Sequence, residues 1–263
     1  MFWPRMNKPK SPGAATVMKR AIILKHLFVK ALAIPPPEVL AELTSRSDSK
    51  IAFLEMANRH SCEQIEHLQR SELWGEMEET ERDLIRASPI EVRQQALANA
   101  NWLSESIMCL LWALNYIPKL PPYDRPVNPE LTNAIPAESA EILIPKAKLR
   151  PLDMITKQRD LAELWHWRSR TRRLMESGEM PRTVGDGLTL DQLVQQVSAK
   201  AAENGDIPAA IEGDFPALGK PYRALNEEEF SMATSIAMER HHAFNWLCGY
   251  APQNVWSQTP TDT

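Results

Sequence analysis

The sequence predicts an all-α protein: an irregular multi-helix bundle around a central buried helix at about 89–115, with long proline-rich connections. Three observations predict it. Only 9 glycines occur in 263 residues, and no stretch alternates with period two for long enough to make a strand. Apolar residues recur at spacings of three and four through most of the chain. Prolines gather between those stretches, where they stop helices. With 43% hydrophobic residues, the chain can bury a sizeable core.

The elements follow in order. Residues 1–13, rich in Pro and Lys, read as a disordered basic N-terminal arm; 14–263 read as a single helical domain with room for a sub-division near 117–151. A first helix over 14–33 places Val17, Met18, Ala21, Leu24, Leu27, Phe28 and Ala31 on one face, and Ile34-Pro35-Pro36-Pro37 ends it. A short helix at 38–43 precedes a long one at 49–69, whose face is Ile51, Leu54, Ala57, Ile65 and Leu68. Another short helix covers 78–87. Ser88-Pro89-Ile90-Glu91 has a capping hydroxyl, a first-turn proline and a reciprocal glutamate, and predicts the start of the central helix. From Ile107 to Leu114 that helix is apolar all round, which marks it as core.

Eight prolines between Pro118 and Pro151 predict an extended connection or linker over 117–151. A helix from 152 or 155 to 176 follows, then a loop over 178–187. Thr189-Leu190-Asp191-Gln192 is a second capping box, opening a helix to about 203. The 204–222 stretch reads as a loop able to contact a ligand or partner. Asn226, ahead of three glutamates, caps the last helix, and Gly249 stops it.

Charge and motifs narrow the function. The net charge of -4 argues against nucleic acid as the main partner. The start is nonetheless basic: no acid precedes Glu38, while Arg5, Lys8, Lys10, Lys19, Arg20, Lys25 and Lys30 do. No secretory signal is visible, and no apolar run nears the ~18 residues of a membrane span. Cys62, Cys109 and Cys248 are scattered and odd in number, which fits a reducing cytoplasm. Phosphate loops, nucleophile elbows and His-Glu-x-x-His are absent, so no cofactor is expected. His241-His242 point to different faces, and His60-Ser61-Cys62-Glu63 lacks a second ligand cluster, so no metal is expected either.

One polar pattern stands inside apolar helices. Arg240 falls in the middle of the stripe Phe230, Ala233, Ile236, Ala237, Phe244 and Leu247. Arg168 and Arg172 fall likewise among Leu161, Leu164, Trp165 and Met175. A guanidinium needs a partner when buried, and Glu105, in a Trp-lined stripe of the central helix, is the expected counter-charge. The candidate cluster is Glu105, His166, Arg168, Arg172, Glu239, Arg240, His241 and Asn245. Three readings remain open for it: an interlocking structural network, an anion site with bidentate arginines, or an acid–base site pairing Glu105 with a histidine.

The chain resembles the bacterial family grouped as domain of unknown function number 4272. The likeness is carried by Glu79–Ile85 with Trp102-Leu103-Ser104-Glu105 and Leu110-Leu111-Trp112-Ala113-Leu114, by Trp165-His166-Trp167, by Glu239-Arg240-His241 with Asn245-Trp246-Leu247, and by Trp256 and Thr261-Asp262-Thr263. The chain departs from the pattern at Asn115, where the family has Gly, and at Thr156–Asp160, where it has an acidic turn. The resemblance implies a helical fold and brings no established activity. Absent catalytic motifs and an acidic body favour a non-catalytic protein-binding module, for example partner-neutralising or immunity-like. An enzyme or small-anion binder using the Arg/Glu/His cluster is the alternative, and the oligomeric state stays open.

Overall fold

Local capping signals translate directly into helix starts. Thr189 and Gln192 bond reciprocally, as do Asn226 and Glu229, and each pair opens a helix at the next residue. The structure is a computed structural model and describes residues 10–92, 94–135, 140–178 and 187–262. Among these, the α-helices are α1 Ala14–Leu32, α2 Pro37–Ser45, α3 Ser47–Arg70, α4 Glu79–Arg86, α5 Gln94–Ala113, α6 Ala140–Lys146, α7 Leu152–Ser177, α8 Leu190–Glu203 and α9 Glu227–Leu247. A small antiparallel hairpin, β1 Pro216–Ala217 and β2 Lys220–Pro221, is the one sheet. The fold is therefore all-α. Residues 1–9 of the expected N-terminal arm lie outside the described residues.

Three local expectations need correction. The central helix begins at Gln94, not near 89: the Glu91 amide donates to the Ser88 carbonyl at 2.9 Å, closing a turn ahead of it. The proline-rich stretch is not wholly extended. It contains a 3-10 turn at Pro129–Ala134, capped by Asn128, and the helix α6, which tolerates Pro145 near its end. The 204–222 loop folds inward as well. Leu218 and Gly219, both at positive φ, form the two-residue turn that joins β1 to β2, and Asp214, Phe215 and Tyr222 are buried.

The chain divides into two compact units. One comprises residues 13–119 and 128–150. Here α5 packs against α1, and residues 104–113 of α5 are buried without interruption. Arg20, Lys25 and Lys30 of α1 face inward, while Lys19 stays half-exposed. Lys25 donates to the Ile135 carbonyl at 2.6 Å, and Lys30 to Ser61 Oγ and the Ala87 carbonyl at 2.7 and 2.9 Å. Arg20 pairs with Glu81, and Lys19 with Glu76. Burial lowers the Lys30 pKa, since the ammonium gives up water for neutral acceptors. By contrast, α2 has no buried residue.

At the end of α5 sits Asn115, with φ +66°. The Tyr116 amide reaches back to the Leu111 carbonyl at 2.9 Å, and the Asn115 amide to Trp112 at 3.0 Å. This is the left-handed helix stop that glycine favours and asparagine tolerates best among the others.

The other unit comprises residues 1–12, 120–127 and 151–263. Its frame is α7 packed on α9. Gly249 ends α9 with φ +82°, and a Cβ there would stand 2.6 Å from the Lys10 carbonyl carbon. Only glycine lets the N-terminal strand pass so close.

Candidate functional site

The pairing of α7 with α9 brings three candidate residues into one hydrogen-bonded chain. His166 Nδ1 and His241 Nδ1 lie 3.0 Å apart, and His241 Nε2 lies 2.9 Å from Asn245 Nδ2. The Asn245 amide can be oriented from its partners. Its Oδ1 accepts from Arg159 Nε at 3.1 Å, and its Nδ2 donates to the Pro260 carbonyl at 2.8 Å. The amide nitrogen therefore faces His241, whose Nε2 must accept. His241 then carries its proton on Nδ1 and donates it to His166 Nδ1. Both rings are neutral in this arrangement.

Their environment agrees. Burial lowers the His166 pKa to about 4, and the nearby Arg170 and Arg173 push the same way against Asp262. Burial lowers His241 to about 3, aided by His166, Arg159 and His242. Arg159 touches this pair through Asn245. It lies in the opening turns of α7, pairs with Asp160 at 2.7 Å and Glu163 at 3.0 Å, and stacks over Tyr250.

The arginines occupy separate positions. Arg168 Nε and Nη2 grip the two oxygens of Asp214 at 2.7 and 2.8 Å, with both side chains almost wholly buried. Asp214 also accepts the Phe215 and Arg223 amides. Burial drives its carboxyl upward, but Arg168 and the two amides outweigh that and hold it below the usual value. The expectation that Glu105 supplies the carboxylate fails for Arg168, because a loop residue delivers Asp214 there first. Glu105 itself is wholly buried on α5, in the other unit.

Arg172 bonds Glu176 at 2.7 Å and the Tyr222 carbonyl at 3.1 Å, and lies over Phe230. Arg240, fully buried, donates to the Pro121 carbonyl at 2.7 Å and lies 4.6 Å above the Tyr123 ring. Tyr123 stacks on Trp165, Trp165 tilts against Tyr222, and Arg168 covers the Tyr222 face. Two arginines thus bracket a three-ring aromatic row. Ser169 Oγ donates to the Trp165 carbonyl, so it accepts the Tyr222 hydroxyl at 2.7 Å. Glu239 is half-buried on α9.

Asp214, Tyr222, Tyr123 and Arg159 complete this arrangement and were not legible as site residues. Asp214 had one signal, an acid wedged between Gly213 and the apolar Phe215-Pro216 within a loop. Arg168 Nη1 is its one nitrogen with no hydrogen-bond partner among the described residues. Arg168 also lines a cavity of about 270 Å³ with Met175, Asp191, Gln195 and Arg223. Among the described residues, no three His, Cys, Asp or Glu groups converge to hold a metal ion.

No curated protein and no solved structure matches the chain. Residues 6–189 match the model of one family. That stretch holds Glu105, His166, Arg168 and Arg172, and ends before Asp214, Arg240, His241 and Asn245. The family is the domain of unknown function DUF4272, and this chain belongs to it.

Proposed function

We propose that the protein is a non-catalytic, cytoplasmic protein-binding module, of the partner-neutralising or immunity-like kind. One observation carries this reading: the buried charged and titratable side chains at the α7–α9 contact each bond an internal partner. Asp214 receives four donors, Arg172 and Arg240 bond backbone carbonyls, and the two histidines satisfy each other in their neutral forms. A buried network so closed holds helices in register and leaves no activated nucleophile. Exposed large apolar side chains add support. Leu32, Val39, Ile51 and Met56 on and around α2 and α3 are each 46% exposed or more. Three free thiols suit a reducing compartment.

A second reading, small-anion binding, is favoured by the uncommitted Arg168 Nη1 and the cavity beside it. A thermal-shift titration with phosphate, citrate and sulfate, beside sodium chloride at matched ionic strength, separates the two. The expected response is flat. Saturable stabilisation by one anion, abolished in Arg168→Ala, would replace the binding-module reading. The positive arm compares partner capture by the native chain and by an Ile51→Ser, Met56→Ser variant; identical captured sets would also count against it.

A further inference from the structure

The unit built on α1 and α5 holds a cavity of about 430 Å³, within the usual range for small-ligand sites of roughly 300–1,000 Å³. It is lined from α1 by Lys25, His26 and Val29, from α3 by His60, Glu63, Gln64 and His67, and from the 3-10 turn by Asn133. Positions 60, 63, 64 and 67 are spaced to share one helix face, so α3 alone offers four polar side chains to one place. Val29 is the one apolar residue among them.

Several polar groups here differ from the buried ones on α7 and α9 in being uncommitted. Among the described residues His60, Glu63 and Asn133 have no hydrogen-bond or charge partner, and Gln64 Oε1 is buried without a donor. A buried carbonyl left unbonded costs about 1–3 kcal/mol, so a donor that reached it would be favoured. The unused set contains pure acceptors (Gln64 Oε1 and the Glu63 carboxylate) and groups that both donate and accept (His60 and Asn133). Charge is balanced: Lys25 is held on the Ile135 carbonyl, and Glu63 opposes it at the wall. A strongly charged ligand therefore meets repulsion from one of the two.

We propose that this cavity binds a neutral, hydroxyl-rich organic molecule of monosaccharide size. Each hydroxyl donates once and accepts twice, which matches a wall needing both roles at adjacent positions. Planar amide, carboxylate and imidazole groups can each grip neighbouring hydroxyls of one ring. The site is independent of the binding-module reading, which rests on other residues.

The chain has 6 histidines, and they divide cleanly. His26, His60 and His67 line the cavity, while His166, His241 and His242 belong to α7 and α9. The experiment is nitrogen-15 NMR of histidine-labelled protein, titrated with D-glucose, D-ribose and myo-inositol. Ring resonances avoid the general stabilisation by excluded sugars that confounds a melting curve. The expected result is saturable shifts in the first three rings with at least one probe, and none in the other three. Glu63→Ala and Asn133→Ala, both at exposed positions, should weaken the response at least tenfold while the spectrum stays folded. No shift with any probe would overturn the proposal. So would shifts that survive in both variants, or a response to phosphate with none to the polyols.

Discussion

His241 donates its ring proton to His166, nitrogen to nitrogen across 3.0 Å. Protonating His166 at Nδ1, or His241 at Nε2 against the Asn245 amide, would set two N–H groups against each other. The pair is stable only while neutral, and that gives its pH dependence a sign. Both folded pKa values, about 4 and about 3, lie below the ordinary 6.5. The unfolded chain thus binds more protons between those limits. The stability the pair contributes is complete above pH about 6.5 and is lost as pH falls toward 4. Urea midpoints should drop by the equivalent of a few kcal/mol over that window, to order of magnitude. A His166→Gln variant should show a flatter profile from pH 7 to 4.5. Asp214 is held below its ordinary 3.8, so its own acid loss falls below this window.

Arg168 and Asp214 should show strong coupling. Removing either leaves a buried charge unpaired, and each alanine substitution is expected to cost about 3–5 kcal/mol. The double variant should cost clearly less than the two together, by more than about 1 kcal/mol. A double-mutant cycle by urea denaturation measures this, and simple additivity would show the pair to be energetically idle.

Arg240 and Arg170 give a clean contrast between buried and exposed cations. Arg240 is fully buried on Pro121 and Tyr123, whereas Arg170 is exposed on the outer face of α7. Arg240→Ala should lower stability by at least about 2 kcal/mol; Arg170→Ala should stay within about 0.5 kcal/mol. Equal urea midpoints for the two would contradict the burial.

Asn115 tests the helix stop. Replacing it by Ala keeps the left-handed backbone with a poorer residue and should cost about 1–2 kcal/mol. Asn115→Gly should be nearly neutral, since the backbone gain offsets loss of its bond to the Lys148 carbonyl. Thermal melts of the two variants should rank in that order.

What the sequence made legible was local. Both later capping boxes lie within four residues, and both open helices where expected. The placement of arginines on apolar faces correctly marked Arg168 and Arg240 as buried. Partners set by distant chain were not legible. Lys25 meets a carbonyl 110 residues away, and Arg168 an acid 46 residues away in an irregular loop. For the same reason the cations of α1 read as a basic patch, although Arg20, Lys25 and Lys30 are held inside. Ser88 misled because a first-turn proline and a nearby acid suit an isolated turn as well as a helix. The helix α6 was hidden by its shortness and by Pro145, which argues against a helix by residue type alone.

The close passage of Lys10 over Gly249 has a consequence for synthesis. The unit that contains both residues cannot be finished until α9 has left the ribosome, because Lys10 is made long before the Gly249 it lies against. The other unit needs nothing after residue 150. A nascent chain halted near there should already hold α1 against α5, while its N-terminal segment waits for a partner not yet translated. Anything that delays α9 leaves that segment open to other strands or to proteases, however well the first unit has formed.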